Sequence, residues 1–447
     1  MSNIFIIPVF LAVVTTSAIY TLIVVIKSLL DVIRFARGQN NSVFLSSFKS
    51  VLASSLFYAF FFHLTPKLAD FATNGFPPKH PIVGKVQDIS SITFDEAQEV
   101  HNKFLFVSDL HADTFLWPHR GFITQSTLPF GYVDVPRLIQ GNIGLQVFAT
   151  VTQSPMFQNM ESNSNATDVV GLIHMAQGYH RTSYTSALHR ALVQTQRLQQ
   201  TAELSGGSLI MIKSKKDLTR LLSEKASGKK VVGGLMCIEG AQAFENNVDN
   251  VVKLFDAGVR MVGVSHFVDT EFGGSAHGDG KYGLTEFGHK ALSKVIELNM
   301  IVDLAHSSRS LFFDIIDVVN KKKQHGKTPL VIVSHTGVKG TVNTSRNLDD
   351  EQLKAVADLG GVIGVTFFKE AIGGSSVSTI VDTIRYVVKV IGVDHVSLGS
   401  DFDGSVRCPL DCSQYSHITY QLLRAGFGEK DVEKIMGGNV RRVLEQM

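Results

Sequence analysis

Cysteine is scarce in this chain. Its 447 residues include only Cys237, Cys408 and Cys412, which excludes a disulfide-built scaffold, and none of the three has the spacing of a cysteine-rich zinc site. Cys237 lies inside an apolar run and reads as a packing residue. Cys408 and Cys412, in RCPLDC, are close enough to form a local disulfide if that loop faces an oxidising compartment. A charge excess is missing too: 42 Lys and Arg stand against 40 Asp and Glu. With no basic stripe interleaved with aromatics, a nucleic-acid partner is not expected. The triplet Lys321 to Lys323 reads as the solvated end of a helix. No low-complexity tract occurs, and no repeat beyond a strand–helix period.

Apolar sequence is plentiful at the amino terminus. Ile4 to Ile26 carries no charge, and a helix of that length spans roughly 35 Å, enough for a bilayer core. The run is long and no basic residue precedes it, so a span fits better than a cleavable signal. A second run, Val43 to Leu64, is rich in Phe and Leu and carries, of charged or imidazole side chains, only Lys49 and His63. It reads as a second span or as a helix lying in the interface. Between the runs Lys27, Arg34 and Arg37 face a single acid, Asp31, which places that loop in the cytoplasm. The anchor is therefore a transmembrane helix or helical hairpin over residues 1–64. The hairpin is the favoured form, and it puts the rest of the chain outside the cytoplasm. No apolar tail follows Met447, so attachment at the carboxyl end is not expected.

Residues 65–95 contain Pro66, Pro77, Pro78 and Pro81 and read as a linker. Beyond it, eight short runs have strand character: 104–109, 143–151, 231–238, 261–266, 300–305, 329–334, 361–368 and 395–400. They are apolar throughout, as strands buried on both faces are. The gaps between them hold helical periodicity, for example Gly288 to Leu298 and Asp350 to Leu359. Eight such units predict an α/β chain folded as a TIM-like (β/α)8 barrel over residues 96–447. The long gap at 152–230 predicts an insertion on the second unit, a polar loop followed by a helix from Tyr184 to Leu204.

Metal-ligand residue types recur at the ends of these runs. His111 and Asp113 follow the first, Glu239 the third, His306 the fifth, His335 the sixth and Asp401 the eighth. Each has an ordinary structural explanation: a capping aspartate, a salt-bridged glutamate, a satisfied core histidine. Together they sit at the end of the barrel where active sites form. His111 and Asp113 are two apart, so an extended segment points both to one side. Three imidazoles and three carboxylates can hold two divalent cations around one water, which predicts a binuclear hydrolytic site. His266 ends the fourth run, and Arg346 follows the sixth and can grip an anion through two prongs. Glu271 and His277, in the glycine-rich EFGGSAHGDG, read as polar groups of a mobile loop.

These residues together resemble the membrane (renal-type) dipeptidase family of zinc metallopeptidases. The matching text is SDLHADT, VDVPRLIQGNIGLQVF, IEGAQAF, GLTEFGHKALSKVIELNMIVDLAHSS, VIVSHTGV, SRNLDDEQL, HVSLGSDFDG and MGGNVRRVL, spanning roughly Phe104 to Leu444. The resemblance implies that His111 and Asp113 hold one zinc, His306 and His335 the other, and Glu239 bridges them. It makes Asp401 the acid/base carboxylate, His266 the oxyanion stabiliser and Arg346 the partner of the substrate's free carboxylate. Two features differ. The mammalian members carry a carboxyl-terminal lipid-anchor signal that this chain lacks, and FVDTEFGGSAHG replaces their asparagine-rich loop.

The expected activity is therefore hydrolysis of dipeptides by a hydroxide bridging two Zn2+ per chain, with lipid contacted through the amino-terminal segment and a homodimer left open. Two alternatives stand beside it. The same metal pair serves an amidohydrolase-type enzyme acting on N-acyl amino acids, lactones or cyclic amides. A membrane-tethered binding protein without catalysis would need no intact ligand set.

Overall fold

The computed structural model describes residues 74–86, 90–117, 123–124, 130–324 and 329–447. The apolar runs 4–26 and 43–64 and the basic loop between them lie outside the described residues. Among the described residues, no helix is long and apolar enough to cross a membrane.

Among the described residues, nine strands build one sheet: β1 (Val107–Ala112), β2 (Ile143–Val151), β3 (Leu209–Met211), β4 (Val232–Glu239), β5 (Val259–Gly263), β6 (Ile301–Asp303), β7 (Val331–Thr336), β8 (Val362–Val365) and β9 (Val396–Leu398). The order is β1-β2-β4-β5-β6-β7-β8-β9, with β3 pairing β4 off that path. Every pairing is parallel. The sheet closes on itself where Ala112 bridges Phe402 and Asp113 N donates to Phe402 O at 2.8 Å. A near-closed parallel (β/α)8 barrel results, its strands buried on both faces, which is why none alternates in sequence.

Each of the eight apolar runs contributes a strand, with shifted edges. β1 starts three residues later than its run and takes in His111. β5 starts earlier and includes Arg260, whose guanidinium leaves the sheet to donate to Lys213 O at 2.7 Å and to lie over the Phe255 ring. Within the 152–230 segment the helix runs from Ala187 to Leu204 behind a 3-10 turn at Arg181–Tyr184. β3 goes unread in the sequence, because three residues are too few to show a period.

The helices begin at side-chain caps. Thr93 and Glu96 form a capping box on Phe94–Lys103, Asp349 and Gln352 another on Asp350–Asp358, and Thr285 caps Glu286–Glu297. Lys321, Lys322 and Lys323 occupy the last turn of Arg309–Gln324, where positive charge suits the helix dipole. Residues 81–84, from the proline-marked stretch, lie against the barrel: Ile82 N donates to Pro409 O and Val377 N to Ile82 O, both at 2.8 Å. Cys408 and Cys412 are separate buried thiols rather than a disulfide. Cys408 Sγ is turned to the Ser400 carbonyl at 3.6 Å, and Cys412 opens a turn capped by Asp411.

At the amino-terminal end of the strands, Leu110, Val147, Leu235, Met261, Ile301 and Ile332 meet Val440, Val443 and Leu444 of the last helix. The void they leave is about 10 Å³, room for no more than one water. That end is a plug. Among the described residues, the clustered metal-ligand side chains lie at the other end.

Candidate metal centre

The carboxyl ends of the strands deliver the six ligand-type residues to one place. His111 is in β1 and Asp113 just beyond it; Glu239 ends β4; His335 is in β7. His306 and Asp401 lie past β6 and β9 with φ of 61° and 65°. Left-handed backbone at two non-glycine residues stores strain of the kind found at functional sites. Gly240, with φ of 86°, lets the chain turn directly after Glu239.

The strands also bend to make room. Leu110 lines the plug while His111, its neighbour, faces the cluster, and a regular pleat would send the two to opposite faces. The register of β1 against β2 shifts between Asp109 and Ala112, and that of β7 against β8 between Val333 and Thr336. Both irregularities fall on a ligand histidine, which is how a bulge re-aims a side chain.

Donor atoms of three sets lie within 4.8 Å of one another: His111, Asp113 and Glu239; Glu239, His306 and His335; and His111, His335 and Asp401. Glu239 Oε1 stands 3.4 Å from His111 Nε2, 3.4 Å from His306 Nε2 and 3.7 Å from His335 Nε2. His306 Nε2 and His335 Nε2 face each other at 2.9 Å. Both ring nitrogens of His111, Asp113 Oδ1 and Glu239 Oε2 are buried without a hydrogen-bond partner. A buried polar atom left that way costs roughly 1–3 kcal/mol, so a cluster of them calls for an occupant. Gly404 keeps the space open, since a Cβ there would lie 2.5 Å from Asp401 Oδ1 and 2.7 Å from Asp113 Oδ2. Nitrogen and carboxylate donors around a shared glutamate fit a pair of divalent cations.

Electrostatics agree. Burial, with Glu239 adding to it, pushes the Asp113 carboxyl up to about 7. Burial likewise raises Asp401 well above the carboxylate range, with Asp113 and Glu239 adding and His111 opposing. Burial works to raise Glu239 as well, but His266 and His111 outweigh it and hold that group well below its usual value. Burial lowers His306 and His335 well below the imidazole range, aided by Arg346 at the first and His111 at the second. Those two rings are neutral, as ligands must be. His111 is the exception: burial opposes its protonation, and Glu239 and Asp113 overcome burial. The cluster attracts positive charge.

His266 and Arg346 flank it. His266 Nε2 lies 3.6 Å from Glu239 Oε2 and its Nδ1 3.3 Å from the Gln153 carbonyl. Arg346 is 3% exposed; its Nη2 donates to His335 O at 2.6 Å, while Nη1 is buried without a partner.

Three residues that position the site escape a sequence reading. Asp109 Oδ1 accepts from His111 N at 3.3 Å and from Ser400 N at 2.8 Å, tying β1 to the segment after β9. Asp303 Oδ1 accepts from Ala305 N at 3.1 Å and Ser334 N at 2.8 Å, tying β6 to β7. An aspartate inside an otherwise apolar run was the available signal for both. His277, read as a loop polar group, is fully buried, with Nε2 3.1 Å from His306 Nδ1.

Known proteins share this arrangement of sequence and fold. The chain is 29% identical over 327 residues to Dipeptidase tcpJ of Claviceps purpurea, covering 71% of this chain and 69% of that one. It is 27% identical over 351 residues to Dipeptidase ataJ of Aspergillus terreus, covering 72% and 78%. Among solved structures, a metallo peptidase from Rhodobacter sphaeroides, liganded with a phosphinate mimic of the dipeptide L-Ala-D-Ala, superposes with a TM-score of 0.64 at 20% identity. It covers 77% of this chain and 99% of that one. The probable dipeptidase PvdM from Pseudomonas aeruginosa gives 0.65 at 19%, covering 79% and 98%. At those identities the structures speak for the fold. Residues 94–447 match the sequence profile of the membrane dipeptidases (peptidase family M19), and the chain belongs to that family.

Proposed function

We propose that this protein is a zinc-dependent dipeptidase working with two cations per chain. The observation that carries the reading is the ring of buried, unpartnered donors around Glu239, with the free Arg346 Nη1 beside it. One cation is assigned to His111, Asp113 and Glu239, the other to Glu239, His306 and His335. A cation pair supplies Lewis acidity and a water acidic enough to attack near neutral pH.

The chain's own residues do the rest. Asp401 Oδ1, 3.9 Å from His111 Nε2, is placed to take the proton of the attacking water and return it to the leaving amine. His266 donates from Nδ1 to the Gln153 carbonyl, so its Nε2 serves the carbonyl oxygen where charge develops when the ring is protonated on both nitrogens. Arg346 meets the substrate's terminal carboxylate with Nη1 while Nη2 stays anchored on His335 O. A carboxylate clamp one residue from the reacting centre, roughly 3.5 Å on, favours dipeptides over longer chains. Attachment through residues 1–64, with the barrel outside the cytoplasm, completes the proposal and rests on the two apolar runs and the basic loop between them.

The purified protein should hold close to two zinc ions per chain and lose its turnover of dipeptides to chelators, with cobalt or manganese restoring part of it. Full activity in metal-free protein sinks the reading. Turnover of N-acyl amino acids in place of dipeptides shifts it to the amidohydrolase alternative. Protease added to intact cells should reach the barrel but not the segment around Arg34.

A further inference from the structure

One hydrogen-bonded relay joins the insertion to a ligand histidine. His277 Nδ1 lies 2.8 Å from the Met160 carbonyl oxygen, and His277 Nε2 lies 3.1 Å from His306 Nδ1. His306 Nε2 at the far side faces Glu239 and His335. The direction of the protons follows from the carbonyl, which only accepts. His277 therefore carries its proton on Nδ1 and, as a neutral ring, presents a lone pair at Nε2. The bond between the rings then requires the proton of His306 to sit on Nδ1. That leaves the lone pair of His306 on Nε2, aimed into the cluster, where it faces His335 Nε2 at 2.9 Å.

The other rings are held differently. His335 Nδ1 meets the Ser334 hydroxyl at 2.8 Å, a group that donates or accepts and so imposes no tautomer. His111 has no hydrogen-bond partner on either nitrogen, only the Glu239 and Asp113 carboxylates 3.4 and 3.5 Å from Nε2. The Met160 carbonyl also receives Ser345 Oγ at 2.9 Å, next to Arg346. The insertion is fastened to the loop of His277 as well, through Asn163 N on His277 O at 2.7 Å.

We propose that His277 is a positioning residue that fixes the tautomer of His306 for the second cation, with the insertion's Met160 carbonyl as the fixed end of the relay. This rests on the two-cation reading above. It gives the insertion a part in building the metal centre.

The test is a stepwise titration of metal-free protein with zinc or cobalt, comparing wild type, His277→Phe and His277→Gln. Phenylalanine keeps the stacking on Phe267, whose ring centroid lies 4.7 Å from that of His277, and removes both hydrogen bonds. Glutamine can accept from His306 and donate to Met160. We expect His277→Phe to weaken one of the two sites by about 10–100-fold and leave the other unchanged, with His277→Gln recovering most of that loss. In cobalt-loaded protein the paramagnetically shifted His306 Nδ1–H line should persist with glutamine and vanish with phenylalanine. Wild type binding fewer than two cations overturns the two-cation reading itself. Two cations in wild type, with either both variants unchanged or both weakened alike, overturns the relay alone.

Discussion

His101, in the helix Phe94–Lys103 that leads into β1, and His111, near the far end of β1, are each 1% exposed, and their surroundings differ completely. His101 Nδ1 meets Thr419 Oγ1 at 2.9 Å and its Nε2 meets Gly141 O at 3.0 Å. Both nitrogens are satisfied by protein, and burial, opposed only in part by the Gly141 bond, lowers the ring to about 4. His111 has neither nitrogen satisfied and is held up by two carboxylates. A buried histidine with two protein partners is finished structure. One with none, among carboxylates, is waiting for a cation. The contrast extends to the barrel as a whole: apolar packing closes the His101 end, and charge collects at the His111 end.

If that division holds, changes at the carboxyl end should strike turnover and spare the fold, and changes at the amino end the reverse. The largest effect is expected at Asp401. Asp401→Asn keeps the size and removes the proton acceptor, so turnover should fall by about two to four orders of magnitude. Bound metal, measured on the same preparation, should stay near the wild-type value, and so should the melting temperature. Loss of metal in step with activity makes Asp401 a ligand instead, which its grouping with His111 and His335 also allows.

Arg346→Ala comes next. Losing a charge-assisted partner costs on the order of 2–5 kcal/mol, much of it from the substrate carboxylate left unpaired. The informative comparison is a dipeptide against its carboxyl-amidated form. Amidation should penalise the wild type heavily and the variant little, since the partner is already gone. An equal penalty in both enzymes means that Arg346 does not read the carboxylate. Either way the fold should survive, because Nη2 gives up one bond, to His335 O.

The eight barrel strands were legible because parallel strands buried on both faces leave unbroken apolar runs, and the ligand set because its members end those runs. What was not legible depends on how far side chains reach. His277 sits in a glycine-rich loop with no period, and nothing in EFGGSAHGDG says that its ring stacks on Phe267 and bonds to His306. Composition made that loop look mobile, yet Ala276 N donates to His306 O at 2.7 Å and Ser308 N to Gly274 O at 3.0 Å. The bulges at His111 and His335 were hidden too, because a register shift depends on the partner strand. Nor does a sequence tell His101 from His111, since the partners of His101 come from residues 141 and 419.

That last difference gives the mildest prediction, confined to the plugged end. His101 is neutral in the folded protein down to about 4, whereas in the unfolded chain it takes a proton near 6.5. The folded value is the lower one, so its contribution to stability is intact above about 6.5 and declines as the pH falls towards about 4. The full shift corresponds to a loss on the order of 3 kcal/mol. In metal-free protein denaturant midpoints should therefore drop as the pH falls, His101 adding its share to that of the buried His306 and His335, which burial also lowers. His101→Gln keeps a donor for Gly141 O and an acceptor for Thr419 without a titrating proton. It should lower stability somewhat at pH 7 and flatten the acid decline, while leaving metal content and turnover alone. An unchanged slope in the variant places the acid sensitivity elsewhere, and a loss of bound metal breaks the separation of the two ends.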